Sequence, residues 1–304
     1  MNHKPKMRRY TKKDFDRQFP DDATCLEWLK NRLYPEGILC KNCEQVRPHH
    51  RVASRPSYSC DYCGNHVHPT ADTIFHKSPT PLTTWFYAIY LMSSTRCGIS
   101  AKQIERETGV TYKTAWRMFK QIRSLLCEEL QLEGPAEMDE TYFGGRLHQG
   151  KGPRLQNKTR IVGMVERKGK VVAKTAIETG SQQLLKLAAE HILPDSTVYT
   201  DEYKAYNTLE KLKKDGKPLG YQHRRIHHAA KVYVMGDIHT NTVEGFWSLI
   251  KRGIGGVYHS VSQKYLQTYL DEYSWRYNRR DQGNLIFHSI LAEVSSRAVK
   301  KQSN

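Results

Sequence analysis

The 304-residue sequence has no run of apolar residues approaching the ~18 needed to span a membrane. Its basic start, MNHKPKMRRY, is not followed by the hydrophobic stretch a signal peptide needs. The expectation is an intracellular protein with no membrane partner. Acidic residues are scarce: 31 Asp and Glu stand against 48 Lys and Arg, a formal charge of +17. A chain this basic needs a polyanionic partner or must tolerate self-repulsion, and nucleic acid leads the candidates. Internal repeats and low-complexity tracts are absent. With 38% hydrophobic and 26% charged residues the chain is no disordered polyampholyte, and its length suits about two domains at ~150 residues each. Gly144 and Gly145 lack the rest of a phosphate-binding loop and read as a tight turn after a strand.

What is present begins with seven cysteines, an odd count in which four form two close pairs. Cys40-Lys-Asn-Cys43 and Cys60-Asp-Tyr-Cys63 place two knuckle-like turns sixteen residues apart, which suits Zn²⁺ held tetrahedrally by four thiolates and closed to solvent chemistry. Residues 34–70 are poor in long apolar runs, so the metal supplies the missing stability of what resembles a zinc ribbon. His49, His50, His66 and His68 read as surface contacts, phosphate among them, rather than as ligands. Cys25, Cys97 and Cys127 sit singly among apolar residues and read as small buried hydrophobes. Residues 1–33 read as a basic tail without periodicity, followed by a short helix with Leu26, Trp28, Leu29 and Leu33 on its apolar face.

Residues 80–130 read as helical. PLTTWFYAIYLMSS has the apolar density of a buried helix begun by proline. SAKQIERETG and VTYKTAWRMFKQIRSLL form two amphipathic segments about Thr108-Gly109-Val110, with Ser100 and Thr111 as N-caps: a helix-turn-helix pattern. On its second helix Tyr112, Lys113, Arg117 and Lys120 are candidates for contacts to DNA, while Val110, Trp116 and Ile122 belong to the core.

From Ala136 the pattern turns to strands: AEMDETYF, then KTRIVGMVER and KVVAKTAI joined at Gly169. GSQQLLKLAAEHIL is a helix stopped by Pro194, and STVYTD is a short strand ending on Asp201. After a basic linker, EKLKKDGK, a helix from about Thr240 carries VEGFWSLIK, and further helices cover about 262–279 and 285–298. This order implies an α/β domain with a mixed sheet flanked by helices. Asp139 and Asp201 stand at strand positions and Glu244 in the first turns of a helix. Carboxylates from two strands and one helix can converge at a sheet edge, where hard oxygen ligands hold two Mg²⁺ or Mn²⁺ ions.

MDETYFGG, VYTDEYKAYNTL, HTNTVEGFWSLIKRGIGGVYHSV and YLDEYSWRYNRR, in that order, resemble insertion-sequence DDE transposases of bacteria, in the group with an N-terminal zinc ribbon. The resemblance covers roughly residues 20–290. It implies an RNase H-like catalytic domain over 135–298 that cuts transposon ends and joins the 3′-hydroxyl to target DNA. It also implies terminal inverted repeats and target DNA as partners, a dimer or higher assembly on paired ends, and a cytoplasmic, nucleoid-associated location. Asp139 and Asp201 match the first two acidic positions. The third falls on Glu244 or Asn241, with Glu244 preferred as the anionic ligand and Lys251, two turns on, placed to hold a phosphate. Glu140 and Glu202 point away by strand alternation. Trp247 is open between stacking on a base and packing in the core, and joins Arg252, Arg276 and Arg279 as a DNA-binding candidate. His227, His228 and His239 read first as structural or surface residues. An endonuclease without strand transfer, and a DNA-binding regulator with an inactive domain, are the competing readings.

Overall fold

A computed structural model describes residues 10–95, 97–144, 158–167, 169–176, 180–225 and 241–302, without the side chains of 241, 283–285 and 296–302. Gly145, His227, His228 and His239 lie outside the described residues. The chain divides into two compact units, 1–125 with 281–304, and 126–280. Among the described residues no helix is long and apolar enough to cross a membrane.

The first unit opens with α1 (Lys12–Gln18), inside the tail read as aperiodic. A capping box explains it: Thr11 and Asp14 each satisfy the other's backbone N–H, and buried Phe15 and Phe19 anchor the turn. The helix α2 (Asp22–Leu33) buries Cys25, Leu26, Leu29 and Leu33, and α3 (Leu82–Ser94), entered through Pro81, buries Trp85, Phe86, Ala88, Ile89 and Met92. The ribbon between them has a knuckle hairpin of β1 (Leu39–Cys40) and β2 (Gln45–Val46), and an antiparallel sheet of β3 (His49–Val52), β4 (Ser57–Cys60) and β5 (His66–Val67). The pair α4 (Ala101–Thr108) and α5 (Tyr112–Ser124) has the expected caps: Ser100 accepts from Gln103 N, Thr111 from Thr114 N, and Gly109 turns the chain at φ 73°. Ile122 is buried as read, whereas Val110 and Trp116 are only partly buried, and Ala115, Met118 and Phe119 fill the interior face. The last helix, which we label α9 (Ile286–Gln302), groups with this unit rather than with the sheet domain to which residues up to 298 were assigned. Its Phe287 lies among Tyr10, Phe15, Phe19 and Tyr90. Cys127, read as buried, is exposed, because the chain has left α5 and its apolar face before reaching it.

The second unit is built on β6 (Ala136–Gly144), β7 (Lys158–Glu166), β8 (Val171–Ala176), β9 (Thr197–Thr200) and β12 (Gln222–Arg225). Their order across the sheet is β12-β9-β6-β7-β8, with β6, β7 and β8 antiparallel and β9 and β12 parallel to β6. This mixed sheet flanked by helices is the architecture expected of an RNase H-like domain. Period-two alternation sorts the side chains. Ala136, Met138, Val162, Met164, Val172 and Ala176 face α6 (Ser181–His191) with its Leu184, Leu187 and Ala188. On the opposite face Ile161, Val165, Val171 and Ala173 meet α7 (Asn241–Gly253) and α8 (Gln263–Asn278) through Val243, Phe246, Trp247, Ile250, Leu266, Leu270 and Tyr273. Each such large side chain contributes about 1.5–3 kcal/mol when fully buried, so α7 is held on the sheet mainly by this stripe. The stretch read as a linker forms a hairpin of β10 (Lys213–Lys214) and β11 (Lys217–Pro218). Its Asp215-Gly216 turn has positive φ at both positions, the pairing a tight two-residue hairpin favours.

Candidate functional site

The two aspartates are brought together by strand register. In the parallel β6–β9 pair Ala136 lies opposite Val198 and Glu137 opposite Tyr199. Two residues further along each segment come Asp139, on β6, and Asp201, one residue past the end of β9. Asp201 is fixed where the chain leaves the sheet, its Oδ1 accepting from the Tyr203 backbone N–H at 3.0 Å. Glu244 is exposed in the first turn of α7, and Lys251, also exposed, follows two turns later on that helix. Asn241 begins the helix, but its side chain lies outside the described residues.

Asp139 feels its burial first and the other two carboxylates second. Burial raises the pKa of Asp139, the charges of Asp201 and Glu244 push it the same way, and hydrogen bonds from the Glu140 backbone and Trp247 oppose the rise. Repelling, partly desolvated oxygens of this kind favour a divalent cation, which needs hard anionic ligands and removes the repulsion. The residues present therefore fit such an ion. They are not drawn into a closed shell: among the described residues only the four cysteines bring three or more candidate ligand atoms within 4.8 Å of one another.

Three residues that the sequence reading did not single out build this site. Glu137, fully buried, shares the face of Asp139 and receives the start of α7: Thr242 N at 3.0 Å, Thr242 Oγ1 at 2.9 Å and Val243 N at 3.1 Å all donate to its carboxylate. A carboxylate is well placed there, against the orphan N–H groups and the positive end of the helix dipole. Arg167 neutralises it, with Nε donating at 3.2 Å and the guanidinium stacked on Tyr199 at 3.8 Å. Gly163 pairs with Asp139 on β7, and a Cβ there would lie 2.6 Å from the Trp247 ring. The absence of that carbon lets Trp247 lie flat on the strand. The period-two spacing of Glu137 to Asp139 was a signal available in the sequence; the roles of Arg167 and Gly163 depend on pairing that no local pattern carries.

Trp247 resolves toward the core. It is 4% exposed and its Nε1–H donates to Asp139 Oδ2 at 2.9 Å, so its ring is taken up by the sheet rather than offered to a base. Arg276 is likewise turned inward, both Nε and Nη2 donating to buried Glu272 Oε1 at 3.0 Å. Arg279 pairs with Glu128 at 2.6 Å and stacks on Trp275. Arg252 remains exposed, its Nε donating to the Ser248 carbonyl of its own helix at 3.2 Å. In the helix pair Tyr112, Lys113 and Lys120 are exposed, whereas Arg117 donates to Ser78 Oγ at 3.3 Å. Glu140 points to the opposite face from Asp139, as alternation requires, beside Arg160 at 3.7 Å. Burial is the main cause of its raised pKa.

The four ribbon cysteines converge. Cys40 and Cys63 sulfurs stand 3.5 Å apart, Cys43 and Cys60 4.0 Å apart, and all four lie within 4.8 Å. A tetrahedral ion with metal–sulfur bonds of ~2.3 Å requires edges of about 3.8 Å, so the cluster can hold zinc with little adjustment.

Comparison with known proteins agrees with the resemblance read from the sequence. Residues 131–278 match the family model of the ISXO2-like transposase domain. The chain is 29% identical over 282 residues to an uncharacterized protein in transposable element ISH50 of Halobacterium salinarum, covering 85% of this chain and 91% of that one. It is 28% identical over 114 residues to an uncharacterized transposase-like protein of Haemophilus influenzae, covering 38% of this chain and 84% of the relative. Two solved structures, a pre-cleavage Mos1 transpososome and the Mos1 strand transfer complex, align at 10% and 11% identity. They cover 70% of this chain and 76% and 78% of theirs, with TM-scores of 0.29 and 0.27, too slight a likeness to bear weight.

Proposed function

We propose, from the match of residues 131–278 to the family model of the ISXO2-like transposase domain, that this chain is an insertion-sequence transposase that cuts the ends of its element and transfers the freed 3′-hydroxyls to target DNA. The observation that carries the reading is the placement of three carboxylates on the sheet and the helix packed against it: Asp139 on β6, Asp201 where the chain leaves β9, and Glu244 in the first turn of α7. These three carboxylates are the groups that would hold divalent Mg²⁺ or Mn²⁺. Bound there, such ions supply activation of the attacking hydroxyl and stabilisation of the leaving oxygen.

The protein's own groups position that chemistry. Trp247 fixes one oxygen of Asp139 through its indole N–H, and Glu137 holds the start of the helix that bears Glu244. Lys251 presents an exposed ammonium to a DNA phosphate on the same helix. Both steps exchange one phosphorus–oxygen bond for another, first with water and then with the 3′-hydroxyl as nucleophile, and no protein–DNA bond forms. Structural zinc on Cys40, Cys43, Cys60 and Cys63 holds the ribbon, which with Tyr112, Lys113 and Lys120 of the helix pair engages the terminal repeats. The working assembly pairs two ends and is a dimer or larger.

The test is a strand-transfer assay with the purified chain, Mg²⁺ or Mn²⁺, the element's own ends and a supercoiled target. Joined products that vanish with Asp139→Asn are expected. Metal-dependent nicks without joining would replace the proposal with an endonuclease, and end binding without any cleavage would replace it with a regulator.

A further inference from the structure

The first unit contains a cleft of about 720 Å³ that the family resemblance does not assign. One wall is the β3–β4 turn of the ribbon, with Arg51 and Arg55; the other is the loop entering α3, with His76 and Lys77, and His68 lies beside them. All five are exposed. Arg51, Arg55 and Lys77 form no ion pair with any described residue, so three cations line one depression; Asp21 lies within electrostatic range of Arg51 but its carboxylate accepts from Thr24 N at the start of α2. The single acid in the lining, Asp22, is engaged elsewhere: its Oδ1 accepts from Thr83 N at 2.9 Å and Thr83 Oγ1 at 2.8 Å, at the start of α3.

The cleft is also built rather than loose. Lys77 sits at φ 52°, a left-handed conformation uncommon for a residue with a side chain, and the turn around it is pinned. Ser78 Oγ accepts from Trp85 Nε1 at 3.0 Å and from Arg117 Nη2 at 3.3 Å, while Thr80 N also donates to it at 3.3 Å. His76 Nδ1 accepts from Asp72 N at 3.3 Å, which leaves Nε2–H as its outward donor. Arg117, on the second helix of the helix pair, thus supports the loop that presents Lys77.

We infer that this cleft is a backbone clamp for duplex DNA, in which Arg51, Arg55 and Lys77 take phosphates of the strand. The occupant is DNA because three unpaired cations in an open, solvent-facing groove match a repeating anion, and because the whole chain carries +17. The inference rests on the transposase reading for its biological substrate, but its physical content is independent of the chemistry at Asp139.

The test measures binding of the zinc-loaded full chain to a duplex of the element's end and to an unrelated duplex, by fluorescence anisotropy across salt concentrations. Arg51→Gln/Arg55→Gln/Lys77→Gln should weaken both by about tenfold or more and lower the slope of log K against log salt by about 2–3. Arg51→Lys/Arg55→Lys/Lys77→Arg should restore the slope, with zinc content and melting temperature as folding controls. Unchanged affinity and slope in the neutral variant would overturn the clamp; so would a loss confined to the cognate duplex at unchanged slope, which denotes base reading. Asp139→Asn should bind like the parent chain, so a failed clamp and failed strand-transfer chemistry are told apart.

Discussion

The ribbon and the carboxylate end of the sheet gather candidate metal-ligand side chains in opposite ways. The ribbon draws all four ligands from two short turns and brings their sulfurs within 4.8 Å, a closed cage with nothing left for substrate. The carboxylate end draws on β6, the exit of β9 and α7, over a hundred residues of chain, and keeps its oxygens further apart, with Glu244 exposed. A structural site is local and self-sufficient. A site for chemistry on a large substrate is assembled by topology, open, and dependent on side chains that never touch the metal.

The sharpest way to break that comparison is to remove the cage. Chelation, or Cys40→Ser with Cys63→Ser, should unfold residues 34–70, since structural zinc is worth about 10 kcal/mol or more to such modules. Hydrogen exchange should then rise across the ribbon and stay unchanged across 126–280. Next in size, Asp139→Asn should lower strand transfer by about 10³-fold, the several kcal/mol that metal-held charge supplies, with end binding intact in anisotropy. Glu137→Ala attacks the scaffold of the open site. It strips α7 of its N-terminal acceptor and leaves Arg167 without that partner, and a loss of about 3 kcal/mol is expected in chemical denaturation. Gly163→Ala forces a carbon against Trp247 and should cost about 1–3 kcal/mol, with strand transfer falling as Asp139 is displaced.

The smallest effect is a matter of sign. Asp139 has a raised pKa in the folded chain, so without metal the native state holds its proton more tightly than the unfolded state does. The stability this provides is present at acid pH and lost as pH rises through the raised value. Asp139→Asn should therefore raise the melting temperature of the magnesium-free chain at neutral pH, with the gain shrinking toward the ordinary aspartate pKa of ~3.9. A drop in melting temperature at neutral pH would contradict the raised pKa of Asp139, whose main cause is burial.

What could be read in the sequence follows the same division. The cysteine knuckles, the caps at Ser100 and Thr111, and the strand carrying Asp139 are local patterns, and they stand where read, while the strand read as ending on Asp201 stops one residue before it. The edge strand β12, QHRR, has no β-branched residue and is recognisable only beside β9. Trp247 was open between two roles because helical periodicity cannot say what lies beneath a helix; the missing Cβ of Gly163, on another strand, decides it. Arg276 and Arg279 looked like surface cations in SWRYNRR, but Glu272 and Glu128 are their partners, the second far away in sequence. α1 and the Asp215-Gly216 hairpin did carry local signals, a capping box and a two-residue turn, within stretches whose charge suggested tail and linker.

The central claim is that Asp139, Asp201 and Glu244 form one divalent-cation site. Its most direct test is Mn²⁺ binding to the zinc-loaded full chain, followed by electron paramagnetic resonance, in the parent and in Asp139→Asn, Asp201→Asn and Glu244→Gln. The account predicts tight Mn²⁺ binding in the parent that is lost in each of the three variants, with the ribbon zinc retained throughout. Binding that survives all three substitutions, or that depends on only one of them, would contradict it.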